Sequence, residues 1–288
     1  MAVSKSYDCL ISNSLLPRNE ARALLAHVLS KDKSWVIAHG DETGPEEVSR
    51  PIQLLFLRRR NGEPMAYLLG AKEFYGRSFS VGPGVLIPRP ETELMVDWAL
   101  EVLRAGVSDR ASMALDLGCG TGCIGLSLAL EAERLGLALA QLTLVDCAPE
   151  AIEFTQRNTK QLSVHKLSRT SVNIVQGSWF DPIDPSLRFD LIVSNPPYIR
   201  LGDAHLSQGD LRFEPPHALS SGESGLQAVK LIITEAAGFL QPSGRLLLEH
   251  GYDQAVAIRT LFQEHGYISI ETRADLAGHD RVSAGRKR

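Results

Sequence analysis

Over the first sixty residues, apolar positions recur at helical spacing. Ala21, Leu24, Leu25 and Val28 share one face of Glu20–Leu29, with Asn19 placed as an N-cap. Val48, Ile52, Leu55 and Phe56 share a face of Pro45–Arg60, which opens on a proline and stops at Gly62. Residues 1–61 thus predict a small bundle of about four helices. The pattern changes over residues 62–90. There Phe74, Tyr75, Phe79, Val81, Val85 and Ile87 are punctuated by Gly76 and Gly82-Pro83-Gly84, which reads as a β-hairpin joining two domains. Residues 91–288 alternate. After a helix at Glu91–Arg104, strand-length apolar runs fall at Ala114–Leu117, Leu142–Val145, Asn173–Val175, Leu191–Ser194, Arg245–Glu249, Ile268–Thr272 and Arg281–Ala284. Helical stretches at Ile124–Glu133, Pro149–Thr159, Gly225–Phe239 and Asp253–His265 separate most of them. Such alternation predicts an α/β domain with a doubly wound, mostly parallel seven-stranded sheet. Ligands of such sheets bind beyond the carboxyl ends of the strands.

Charge narrows the function classes. The net charge of −4 gives no global basic excess of the kind that phosphate neutralisation demands, so direct sequence-specific nucleic-acid binding is not expected. The basic runs Arg58-Arg59-Arg60 and Arg286-Lys287-Arg288 read as a solvated helix end and a frayed terminus. Cys9, Cys119, Cys123 and Cys147 form no Cys-x-x-Cys pair and have no pair of close histidines beside them, so no metal site is expected. Met1–Leu16 lacks the pattern of a signal peptide, and no apolar run is long enough to span a membrane. The expectation is a cytoplasmic monomer.

The strand Ala114–Leu117 runs into Asp116-Leu117-Gly118-Cys119-Gly120-Thr121-Gly122, and a helix follows. A strand, a glycine turn and a helix in this order bind the polar part of a nucleotide-like cofactor. Two cofactors compete. Gly120-x-Gly122-x-x-Gly125, with Asp146 ending the next strand, satisfies a dinucleotide fingerprint, and Asp146 can bind ribose hydroxyls in either case. A carboxylate at Asp116 would repel a pyrophosphate but favours the ammonium and sulfonium of S-adenosyl-L-methionine.

Ser194-Asn195-Pro196-Pro197-Tyr198 follows the strand at Leu191 directly. Neither proline has an N–H to continue a ladder, so the segment is stiff and extended where the ligand crevice is expected. An amide NH2 is a poor nucleophile because its lone pair is delocalised. The Asn195 side-chain oxygen and the Pro196 carbonyl can accept its two protons and turn the lone pair toward an electrophilic methyl group, while Tyr198 supplies a face for a planar group. This pattern suits methylation of an amide or of an exocyclic base amine.

Asp116–Gly122 resembles the cofactor motif of class I methyltransferases. That resemblance implies a Rossmann-like methyltransferase sheet in which Gly118, Cys119, Gly120, Thr121 and Gly122 hold the methionine end. Asp146 would hold the ribose, Trp179 would wall the adenine, and Asn195 would touch cofactor as well as substrate. More of the chain resembles the peptide chain release factor glutamine methyltransferases, the PrmC or HemK family: Gly62–Tyr67, Glu73-Phe74, Leu86–Glu93, Gln208–Pro215 and Leu247–Gly251. It implies methyl transfer to the N5 nitrogen of the glutamine in the Gly-Gly-Gln motif of release factors. Residues 1–61 would recognise the substrate, 62–90 form the linker and 91–288 the methyltransferase domain. Asn195, Pro196, Pro197 and Tyr198 would grip the glutamine. A sister family acts on a ribosomal-protein glutamine with the same motif. Arg89, Glu91 and Glu93 could shape the pocket or form a structural ion pair and helix cap. Glu249 and His250 could line the crevice, with His250 favoured as a packed polar residue.

Overall fold

The computed structural model describes residues 6–106 and 111–288; residues 1–5 of the Met1–Leu16 stretch lie outside them. Helices α1 (Tyr7–Ser12), α2 (Arg18–Leu29), α3 (Lys33–Ala38) and α4 (Glu46–Arg60) close on a core that includes Ile11, Leu24, Leu25, Val36, Ile52 and Phe56. Asn19 is not the cap of α2. The helix begins one residue earlier, and Pro17, whose ring already fixes φ near the helical value, occupies the boundary. The run Arg58-Arg59-Arg60 is also less solvated than expected. Arg59 makes two hydrogen bonds to Glu20 (2.7 and 2.8 Å) and Arg58 two to Glu63 (2.7 and 2.5 Å).

A fifth helix, α5 (Met65–Leu69), occupies the stretch read as hairpin. Its Leu68 packs into the N-terminal core, while Tyr67 turns into a second cluster with Val81, Val85 and Ile87 and donates its hydroxyl to the Val85 carbonyl. One apolar helical turn thus holds two clusters together. The hairpin proper is β1 (Ala71–Phe74) with β2 (Arg77–Ser80). Its two-residue turn is Tyr75-Gly76, both at positive φ as such turns require. Gly82-Pro83-Gly84 lies beyond it.

A short 3-10 turn, Pro90–Thr92, leads into α6 (Glu93–Ala105). Then follow β3 (Ser112–Leu117), α7 (Cys123–Leu135), β4 (Leu139–Asp146), α8 (Pro149–Gln161), β5 (Ser171–Gln176) and β6 (Phe189–Ser194). The chain continues through α9 (Pro216–Leu219), α10 (Gln227–Phe239), β7 (Leu240–Glu249), α11 (Ala255–Glu264), β8 (Ile268–Ala274) and β9 (Asp280–Arg286). The seven-stranded sheet has the order β5-β4-β3-β6-β7-β9-β8, with β3 to β7 parallel and β9 antiparallel to both neighbours. Alternate strand residues feed opposite faces. Ala114, Leu142, Leu144 and Val193 pack with α6 and α7, and Leu115, Leu117, Val145 and Ile192 pack with α10 and α11. Each fully buried Leu, Ile or Phe contributes about 1.5–3 kcal/mol, so both layers anchor the strand ends on which the site is built.

Candidate active site

The strand order reverses at β3. The chain runs outward through β4 and β5, then returns to place β6 on the other side of β3. Ligands of doubly wound sheets bind at such a reversal. Leu117, the last residue of β3, pairs with Ser194, the last of β6, and the Ser194 hydroxyl donates to the Leu117 carbonyl at 2.7 Å. Gly118 and Asn195 therefore leave the sheet side by side on neighbouring strands.

The glycine loop is held almost entirely by its own amides. The Gly118 and Cys119 N–H groups donate to the Val145 carbonyl, Gly120 N–H to Asp146 at 2.8 Å, and Gly122 N–H to the Cys119 carbonyl. Gly118, Gly120 and Gly122 all have positive φ. Gly125 has a different reason. A Cβ there would lie 2.4 Å from Leu144, so this glycine lets α7 pack against β4. Asp116 sits under the loop and accepts the Gly125 N–H at 3.0 Å, filling the helix N-terminus where a pyrophosphate would bind. With the loop amides spent and a carboxyl in that place, the site is a poor dinucleotide cradle.

Asp116 is wholly buried rather than at a mouth, and burial pushes its carboxyl up to about 7. Its Oδ1 has no hydrogen-bond partner among the described residues. A buried acceptor without a donor fits a cationic ligand. Asp146 divides its carboxylate between the Gly120 and Ala148 amides. Trp179 stands at φ 45°, a strained conformation for a bulky residue, and its ring would meet a Cβ at Gly118 at 3.4 Å. The indole thus forms a wall against the loop. Cys119 is buried with its thiol beside the Thr155 hydroxyl (3.5 Å), and Thr121 is buried with its carbonyl held by Asn158. The Cys119 side chain is therefore spent on packing.

Across the crevice, a small cavity is lined by Arg89, Asn195, Pro196, Pro197, Tyr198 and Leu219 among others. Its floor is fixed from several sides. The Tyr198 carbonyl accepts from Gln254 at 2.9 Å and lies where a Cβ on Gly225 would clash, and Ile199 bonds to Leu219 and Ser221. Asn195 Nδ2 donates to the Thr92 hydroxyl at 3.4 Å, and no hydrogen bond to Asn195 Oδ1 is found among the described residues. Arg89 both lines the cavity and pairs with the buried Glu214, which also accepts the Ile87 N–H. Glu93 accepts the Tyr75 N–H and ties the hairpin turn to α6. His250 is a packed polar residue, bonded to Ser283 and to the Gly251 carbonyl.

Sequence reasoning gave no role to Thr92, Glu214 or Asp210. The segment around the last two ties the cavity to the N-terminal helices. Arg212 donates to the Asn61 carbonyl at 2.8 Å, and Asp210 lies 3.7 Å from Arg59. Gly62 is favoured there because its φ of 90° lies in the left-handed region, and a Cβ would also displace the Arg212 guanidinium. Signals for this latch existed only as isolated charges.

The reversal at β3, with a glycine turn after β3 and an Asn-Pro-Pro-Tyr loop after β6, defines a Rossmann-like methyltransferase. A methyltransferase from Pyrococcus furiosus has the same fold, with a TM-score of 0.51 at 19% identity over 80% of this chain and 96% of its own. A family described as the PrmC N-terminal domain matches residues 8–70, and one described as the methyltransferase small domain matches residues 93–209. A release factor glutamine methyltransferase of Vibrio cholerae is 46% identical over 95% of this chain and 91% of its own length. That of Bordetella pertussis is 43% identical over 96% and 97%. The chain belongs to the release factor glutamine methyltransferase family.

Proposed function

We propose that this protein transfers a methyl group from S-adenosyl-L-methionine to the N5 amide nitrogen of the glutamine in the Gly-Gly-Gln motif of peptide chain release factors. The observation that carries the reading is the exit of the Gly118 loop and Asn195 from paired residues of adjacent strands. When bound, the cofactor supplies a methyl group already activated by a sulfonium. Gly118, Cys119, Gly120, Thr121 and Gly122 would hold its methionine end, Asp146 would hold its ribose, and Trp179 would give a flat apolar surface for its base.

Asn195 Oδ1 and the Pro196 carbonyl accept the two N–H groups of the substrate carboxamide. Pro197 keeps that carbonyl in place, and Tyr198 flanks the planar group. Burial holds the Tyr198 phenol above its ordinary range, so it stays neutral and donates. As the nitrogen–carbon bond forms and the carbon–sulfur bond breaks, positive charge grows on the nitrogen beside two fixed dipoles. Its surplus proton leaves to water. Residues 1–61 serve substrate recognition, joined to the reacting cavity through Arg59, Asp210 and Arg212.

Incubation with labelled methyl donor and a release factor should label the Gly-Gly-Gln glutamine alone. Label that survives replacement of that glutamine by alanine, or transfer to a ribosomal protein or naked RNA in its place, contradicts the assignment. A further expected result concerns Asp116. Its carboxyl, raised to about 7 beneath the loop, must ionise to attract a cationic ligand through space, so cofactor affinity holds above that pH and weakens below it, by at most about tenfold per unit. Calorimetry between pH 6 and 8 in buffers of different ionisation enthalpy should show proton release on binding, and Asp116→Asn should flatten the dependence. An affinity independent of pH in the parent enzyme would reject this role.

A further inference from the structure

β7 flanks β6 on the side away from the glycine loop. Leu248 pairs with Ser194, so Glu249 comes next to Asn195 just as Gly118 does on the opposite side. Glu249 is 1% exposed. Its Oε1 lies 3.5 Å from the Tyr198 hydroxyl, its Oε2 has no hydrogen-bond partner among the described residues, and the Thr92 side chain lies near enough to favour its charged form. Thr92 in turn faces Asn195 Nδ2 at 3.4 Å. Asn195, Thr92, Glu249 and Tyr198 thus form one polar cluster behind the cavity, in which the open Glu249 Oε2 is the acceptor available to the Thr92 hydroxyl.

A hydroxyl has one proton to give. If Thr92 gives it to a carboxylate, only lone pairs remain for Asn195, whose NH2 must then face Thr92 and whose carbonyl oxygen must face the cavity. If the carboxyl holds its own proton and donates to Thr92, the hydrogen bonds can run the other way. Thr92 then donates to the Asn195 oxygen, and the Asn195 NH2 meets the substrate NH2, donor against donor.

We propose that ionised Glu249 is a positioning residue that, through Thr92, turns the acceptor end of Asn195 toward the substrate amide. This rests on the assignment of Asn195 as the amide acceptor and extends it to a group that never touches substrate. Several groups face Glu249: Arg281 on β9, which favours its charge; Glu91 in the turn before α6, which opposes it; Tyr198, which donates to it; and Cys123 at the start of α7. The adjacent His250 is held below its ordinary range by burial and stays neutral. Burial outweighs the favourable contacts and raises Glu249 to about 7, so its charge changes across the neutral range. The ionised form, and with it the correct Asn195 orientation, prevails above that pH.

The test is the pH profile of kcat/KM for a release factor at saturating S-adenosylmethionine, which removes any contribution from cofactor affinity. The parent enzyme should lose activity as pH falls below about 7. Glu249→Gln cannot titrate, so it should lack that limb and run on the order of tenfold slower at pH 8. Thr92→Val should show a similar loss in kcat with little change in cofactor affinity, and Thr92→Ser should restore it. A limb retained unchanged in Glu249→Gln, or parent kcat in Thr92→Val, would overturn the proposal while leaving the role of Asn195 intact. Full activity in Asn195→Ala would overturn both.

Discussion

Replacing Asn195 with alanine should lower kcat by a factor on the order of 10² or more, while S-adenosylmethionine affinity changes only a few fold. The size follows from the task. An amide nitrogen has almost no available lone pair, so its alignment carries much of the barrier, and losing one preorganised polar partner typically costs about 2.7–4 kcal/mol. The separation from cofactor binding follows from position. The glycine loop is fixed by Val145 and Asp146 and does not depend on the Asn195 side chain. Single-turnover methylation of a release factor, together with a direct cofactor titration, measures both. Parent-like turnover, or a loss confined to cofactor binding, would contradict the role given to Asn195.

Gly125→Val should destabilise the folded protein by about 3 kcal/mol, the upper part of the usual range for overpacking. A Cβ at this position lies 2.4 Å from the Leu144 side chain and 3.0 Å from Asp116, and Leu144 is wholly buried in the core between α7 and the sheet. The clash cannot be relieved by swinging a side chain into solvent. An alanine would gain about 1 kcal/mol of helix propensity and still meet the same atoms. For a chain this long, melting temperature should fall by roughly 6–12 °C. Because Asp116 accepts the Gly125 N–H, cofactor affinity should fall with it. A thermal melt and a cofactor titration check both effects; an unchanged melting temperature would mean that α7 can move away from β4.

Part of this architecture was readable because it is local. A glycine turn between a strand and a helix, or two prolines after a strand, declares itself within a few residues, and the period of the apolar positions separated helices from strands over most of residues 91–288. Errors came where one residue serves two neighbours. α5 was hidden because Leu68 and Tyr67 face different clusters, so its apolar pattern fits neither a bundle helix nor a hairpin. Asn19 looked like a cap because Asn usually is one, but Pro17 had already started the helix. The polar framework was invisible for a different reason. Arg89 and Glu214 lie 125 residues apart, and Arg59 and Glu20 lie 39 apart, so nothing in either local pattern announces the partner. Thr92 carried no local signal, because its contact with Asn195 exists only where the turn before α6 folds over the end of β6.

The most direct measurement is a structure of the enzyme with S-adenosylhomocysteine and a release-factor domain carrying the Gly-Gly-Gln loop. The glutamine nitrogen should lie within about 2.7–3.2 Å of both Asn195 Oδ1 and the Pro196 carbonyl, with its open face toward the cofactor sulfur. A glutamine seated elsewhere, or bound with its carbonyl oxygen against Asn195 Oδ1, would contradict the proposed alignment.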